Sequence, residues 1–156
     1  MDRETRDALI ARYREGYDVV AAALAGASEA ELDRRPADGT WTAREVVHHL
    51  ADSEMTSAIR LRRLIAEEAT LIGGYNEEEF ARRLFYAVRP IAPSLAALKA
   101  ARETSAIILD HLADEHWQRA GTHSESGPYS VETWLEIYAA HAHDHAAQIR
   151  RALGRG

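Results

Sequence analysis

Trp134-Leu135-Glu136-Ile137-Tyr138-Ala139-Ala140-His141-Ala142-His143-Asp144-His145-Ala146-Ala147-Gln148-Ile149 is the stretch from which the rest of the chain can be read. Trp134, Tyr138, His141, His145, Ile149 and Ala152 recur at steps of three and four, the repeat of one face of an α-helix. Ser130 supplies an N-cap, and the helix is expected to run through Leu153. His141 and His145 lie on this inward stripe, stacked roughly 6 Å apart, which is close enough to chelate one metal ion. His143 sits about 200° round the helix from His141 and is expected to face solvent or a partner chain.

Three further long helices precede this one. Leu9, Ile10, Tyr13, Tyr17, Val20 and Leu24 mark the buried face of a first helix over about Asp2–Ala25. Ser28 with Glu31, and Thr42 with Glu45, have the capping-box spacing. The former opens a short helix ending before Pro36; the latter opens a long one to about Glu68. Gly73-Gly74 closes that region, and Asn76 can cap a short helix through Phe85. Pro90 and Pro93 bracket the start of a third long helix, which carries Leu95, Leu98, Ile107, Ile108 and Leu112 and ends near Ala113. The segment with Gly121 and Ser124-Glu125-Ser126-Gly127-Pro128 reads as a looser connection, and strand signals are nearly absent. The expected fold is all-α, one four-helix-bundle domain over residues 1–156, with long connections and short extra helices.

Composition narrows the partners and the chemistry. At 156 residues the chain can bury about 70% of its unfolded surface in one core. The net charge of 19 − 25 = −6 argues against whole-surface attraction to nucleic acid or to an anionic membrane. With no cysteine, there are no disulfides, thiolate metal ligands or cysteine nucleophile. The longest apolar run, Val19–Ala27, is too short to span a bilayer and is preceded by acidic residues, so the expected location is the cytoplasm.

A third ligand for the histidine pair has two candidates in Trp41-Thr42-Ala43-Arg44-Glu45-Val46-Val47-His48-His49-Leu50-Ala51-Asp52-Ser53-Glu54. His48 neighbours Arg44, Glu45 and Asp52 and reads as largely solvated; His49 lies nearer the buried stripe. A ferritin-like carboxylate site fits poorly, since Glu45-x-x-His48 has no counterpart on the last helix. The residues alone leave open that each inward histidine bonds only to a tyrosine or a backbone carbonyl.

Trp41-Thr42-x-x-Glu45-Val46-x-x-His49-Leu50-x-Asp52-Ser53-Glu54, followed by His141-x-x-x-His145-x-x-Gln148-Ile149, resembles the DinB-like superfamily of metal-binding four-helix proteins. The preamble Leu32-x-x-Arg35-Pro36-x-x-Gly39-x-Trp41 extends the resemblance over nearly the whole chain. It implies a bundle of unusual connectivity and one divalent metal held by His49, His141 and His145, with His49 chosen because the family's histidine directly precedes the leucine. The resemblance also implies a homodimer; for the three-histidine donor set the expected ion is Zn or Ni first, then Fe or Mn. Some members are S-transferases or isomerases using a low-molecular-weight thiol such as mycothiol or bacillithiol; others resemble metal-dependent hydrolases.

The expected function is therefore a thiol S-transferase on a small-molecule substrate. The alternatives are a hydrolase using metal-bound hydroxide, or a non-catalytic metal-binding stress or interaction protein. Three neutral imidazoles leave the ion its full charge, which lowers the pKa of a bound water to about 7 and deprotonates a thiol. Asp52 and Glu54, and after them Glu45, are the candidates for a base or for partners of the ligands. Arg62-Arg63 or Arg82-Arg83 could hold a thiol's carboxylate. Trp134 could line the pocket.

Overall fold

The long helices form because each carries an apolar stripe, and all but the third begin at a polar cap. In the computed structural model, which describes residues 1–68 and 70–155, they are α1 (Arg3–Leu24), α3 (Ala43–Ala66), α5 (Ile91–Asp110) and α7 (Val131–Ala152). Asp2, Thr42 and Ser130 accept the third backbone N–H of α1, α3 and α7 respectively. The capping boxes at Ser28 and Thr42 both close, the first starting the short α2 (Glu29–Leu32). Asn76 caps α4 (Glu77–Arg83), which stops two residues short of Phe85 because Phe85 turns left-handed, φ 59°. The third long helix likewise ends at Asp110 rather than Ala113, and a separate short helix, α6 (Asp114–Trp117), follows it.

The long helices pack α1 on α7, α7 on α3, α3 on α5 and α5 on α1. The first two long helices therefore sit on one diagonal of the bundle and the last two on the other, an order that only long connections can make. Two apolar clusters fill the interior. One is built on Val20, Val46, Leu50, Ala146 and Ile149, the other on Tyr13, Leu61, Leu109, Trp134 and Leu135.

The expectation of almost no strand is corrected by a small three-stranded sheet. β1 (Leu71–Ile72) runs parallel to β2 (Ala120–His123), which forms an antiparallel hairpin with β3 (Gly127–Ser130). These strands are two to four residues long and contain Gly and Pro, so they carry no alternating pattern to read. Main-chain bonds across the segments hold them instead: Thr122 N–H donates to Thr70 O and Ser124 N–H to Ile72 O, each at 2.9 Å. At Gly121 any Cβ would fall on the Thr70 carbonyl oxygen, so this close approach requires glycine. Among the described residues no helix is long and apolar enough to cross a membrane.

Candidate metal centre

Three imidazoles meet between α3 and α7. The capping box at Thr42 fixes the start of α3, with Glu45 accepting from Thr42 N–H at 2.8 Å and from Arg35 at 2.8 Å. Two turns on, His49 is buried and faces His141 and His145 of α7. His49 Nε2 lies 3.3 Å from His141 Nε2, and one ring nitrogen from each of the three histidines lies within 4.8 Å of the others. Among the described residues this is the one group of three or more such side chains that converges in this way.

The donor set fits a divalent ion. Imidazoles at about 2.0–2.1 Å from one tetrahedral ion have nitrogens about 3.3 Å apart, and the His49–His141 separation matches that. Ligation also needs neutral rings, and burial supplies them. It pushes the His49 pKa down to about 3 and that of His141 to about 2, helped in both by the neighbouring histidine charges. Burial lowers His145 as well, opposed by its bond to Gln148 and by the charges of Glu77 and Asp144.

His145 Nδ1 donates to Gln148 Oε1 at 2.6 Å, which leaves the lone pair on Nε2. Nδ1 of His141 is buried with no hydrogen-bond partner among the described residues, so this ring is not explained by a bond to a tyrosine or a backbone carbonyl.

His48 shows how a purely structural histidine is treated in this fold, and its expected solvation is corrected. It is 0% exposed, because α5 and the turn before it pack over this side of α3. Its Nδ1 lies 2.8 Å from Ser94 Oγ and its Nε2 donates to Arg89 O at 3.0 Å, so both nitrogens are used. His143 is corrected too. Nε2 donates to Arg12 O at 2.9 Å, since α1 packs along that side of α7, and the ring is half-buried against α1 instead of facing solvent.

The carboxylates expected to act as bases are engaged elsewhere. Glu54 is 0% exposed and accepts from Arg102 at 2.6 Å and from the Tyr13 hydroxyl at 2.5 Å. Asp52 accepts from the Tyr86 hydroxyl at 2.6 Å and lies 3.6 Å from Arg89. The arginine pairs are also occupied. Arg82 and Arg83 both pair with Glu79, Arg63 with Glu67, and Arg62 with hydroxyls of Thr104 and Ser105.

What surrounds the histidines was only partly foreseen. The Trp41 ring packs on His49 with centroids 5.0 Å apart, closing that side of the cluster. Trp134 is 0% exposed and donates to Ser57 O at 2.9 Å, a core layer beneath the cluster and no part of its lining. Tyr138 presents its ring to His141, centroids 5.7 Å apart, and its hydroxyl receives Arg60 Nη1 at 3.3 Å. Burial raises the Tyr138 pKa, and the Arg60 charge pulls against that rise. The sequence offered a signal for Gln148, three residues beyond His145, but none for Arg60 or Glu77, which lie outside both histidine motifs.

A bundle that brings histidines from two of its helices to one point defines a metal-site scaffold of the four-helix kind. The sequence model of the DinB superfamily matches residues 12–149, and this chain belongs to that superfamily. It is 39% identical over 119 residues to a protein of Oceanobacillus iheyensis named "Putative metal-dependent hydrolase", covering 76% of this chain and 69% of that one. A Geobacillus thermodenitrificans protein of the same designation is 34% identical over 144 residues, 90% of this chain and 79% of the relative. Among solved structures, YfiT from Bacillus subtilis superposes with a TM-score of 0.91 at 29% identity, covering all of this chain and 91% of YfiT. YfiT is described as a probable metal-dependent hydrolase with an unusual four-helix bundle topology, and the diagonal helix order found here matches it in fold.

Proposed function

We propose that this chain is a divalent-metal-dependent hydrolase of a small-molecule substrate, with His49, His141 and His145 as the metal's protein ligands and Zn or Ni as the ion. The observation that carries the reading is the convergence of one buried and two half-buried imidazoles, one of them with a buried Nδ1 that has no partner among the described residues. A bound divalent ion supplies Lewis acidity and lowers the pKa of water in the cleft. The chain's own residues do the rest. Burial keeps the three rings neutral, Gln148 fixes the His145 tautomer, and Trp41 excludes solvent from the His49 side. The names carried by the relatives support hydrolysis.

Thiol S-transfer would use the same centre. It is the second reading because the names carried by the relatives point to hydrolysis and three of the four arginines expected to hold a thiol's carboxylate, Arg63, Arg82 and Arg83, are paired with Glu67 and Glu79. With Asp52, Glu54 and Glu45 each hydrogen-bonded to other side chains, none of them is assigned as the base.

The test is elemental analysis of protein prepared without a histidine tag, beside His49→Ala, His141→Ala and His48→Ala, followed by ester, amide and thiol-transfer panels on the reloaded protein. One ion per chain, lost in the first two variants and kept in His48→Ala, with metal-dependent hydrolysis, is the expected result. No ion after reloading with Zn or Ni overturns the metal reading; an ion with thiol transfer in place of hydrolysis overturns the reaction class alone.

A further inference from the structure

We infer that Arg60 anchors an anionic group of the substrate, a carboxylate or a phosphate, beside the histidine cluster. The inference rests on the proposed metal-dependent function for the identity of the reacting centre, and on Arg60's own surroundings for the anion. Arg60 is half-buried on α3 and, among the described residues, has no carboxylate within 4.0 Å. Other arginines at this level of the bundle do: Arg63 pairs with Glu67, Arg89 with Asp52 and Arg102 with Glu54. Arg62 also has only neutral partners, but these are the Ala58 carbonyl of its own helix and hydroxyls of α5, on the side of α3 that faces that helix.

Arg60 is held by neutral groups instead. Nη1 donates to the Tyr138 hydroxyl at 3.3 Å, Nη2 donates to Gly73 O at 2.5 Å, and the guanidinium lies 5.8 Å from the centroid of the Tyr75 ring. Two of its five N–H donors are used, which leaves part of the planar fork to receive a bidentate oxyanion. In a chain of net charge −6, a partly desolvated cation held only by neutral dipoles is under-compensated, and an anion supplies the missing charge.

The location makes this a substrate contact. On one side Arg60 touches the hydroxyl of Tyr138, whose ring edges His141. On the other it lines a groove of about 340 Å³ with Thr56, Ile59, Arg63, Ile72 and Gly73, room for a small molecule. Arg60 is therefore separated from a proposed metal ligand by a single side chain, that of Tyr138, and an anion seated on its free N–H groups lies in the groove, one residue removed from that tyrosine.

The experiment titrates metal-stripped, chelator-treated protein with inorganic phosphate and, separately, benzoate by isothermal calorimetry at fixed ionic strength. Wild type is compared with Arg60→Gln, Arg60→Lys and Arg82→Gln, each checked for helical content. Wild type is expected to bind one of the two anions, which identifies the group as phosphate or carboxylate. Arg60→Gln should weaken that binding at least tenfold, Arg60→Lys less because it keeps the charge without the fork, and Arg82→Gln, outside the groove, by less than twofold. No saturable binding of either anion to wild type, or equal binding by wild type and a folded Arg60→Gln, overturns the inference. Since metal is absent throughout, loss of the metal reading leaves this result standing, and a failure here leaves the metal reading untouched.

Discussion

His49 and His141 point Nε2 at Nε2 across 3.3 Å, an approach that two protonated imidazoles could not share. Burial, helped by the charge of His145 on both and of His49 on His141, lowers their folded pKa values to about 3 and about 2, below an ordinary value near 6.5. Below pH 6.5 the unfolded chain therefore binds protons that the folded chain refuses, and stability falls with pH. We expect metal-stripped protein to lose about 1 kcal/mol per pH unit for each such histidine between pH 6 and pH 5. Thermal or urea unfolding at each pH measures it, and His141→Gln should flatten the slope. A wild-type stability that is level over this window contradicts the assignment of neutral rings.

Gln148 makes a separate prediction about the same cluster. Its side-chain oxygen accepts from His145 Nδ1 at 2.6 Å and so selects which nitrogen faces His49 and His141. Gln148→Leu removes that selection while leaving the half-buried surface of α7 filled. Metal affinity, measured by competition with a chromogenic chelator, should drop about 10–100-fold with the helical signal unchanged. Unaltered affinity would show that the packing of α3 against α7 orients His145 without help.

How far the sequence reaches is set by which signals are local. The capping boxes at Ser28 and Thr42 and the stripes of α1, α3 and α7 are periodic features of continuous stretches, so the helices could be read in advance. The spacing of His141 and His145 is of the same kind. The choice of His49 over His48 was not local. It came from the family motif; the physical reason lies in the packing of α5 and its leading turn, which buries His48 with Ser94 and Arg89 and makes the charged helical neighbourhood a poor guide. Glu54 looked like a base because it follows the histidine motif. Its partners Tyr13 and Arg102 come from 41 residues before and 48 residues after it, beyond any pattern on α3. The sheet escaped for a related reason, as its strands are short and joined by main-chain bonds between distant segments.

Arg102 and Glu54 form a buried pair at 2.6 Å, with side chains 2% and 0% exposed. Arg102 also donates to Tyr13 O at 3.1 Å and to Tyr138 O at 3.3 Å, so the guanidinium ties α1, α3 and α7 together from α5. Removing one partner leaves the other charge buried and unpaired, and removing both does not. Glu54→Leu or Arg102→Met alone should each lower unfolding free energy by about 3–5 kcal/mol. The double variant should recover a substantial share of the summed loss, and a denaturant-based double-mutant cycle reads the difference. If the two single losses simply add, the charges are not coupled and the network is a set of independent hydrogen bonds.

Gly16 is where α1 approaches Ala142 of α7 and the Arg102 guanidinium. A Cβ there would sit 2.8 Å from the Ala142 Cβ on α7 and inside contact distance of the Arg102 guanidinium. Helix propensity alone would favour alanine at a position inside α1 by roughly 1 kcal/mol. The contacts oppose it, because the guanidinium is fixed by its bonds to Glu54 and to the Tyr13 carbonyl and cannot swing away, and the Ala142 backbone belongs to the helix that carries His141. Overpacking of this kind typically costs 1–3 kcal/mol, enough to outweigh the gain in propensity. Gly16→Ala should therefore destabilise the protein, with a lowered Tm in calorimetry. It should also weaken metal binding, since relief of the clash by moving α7 outward shifts His141 and His145 relative to His49. A Gly16→Ala protein as stable as wild type would mean that α1 and α7 can separate freely, and that the histidine geometry is held by α3 and α7 alone.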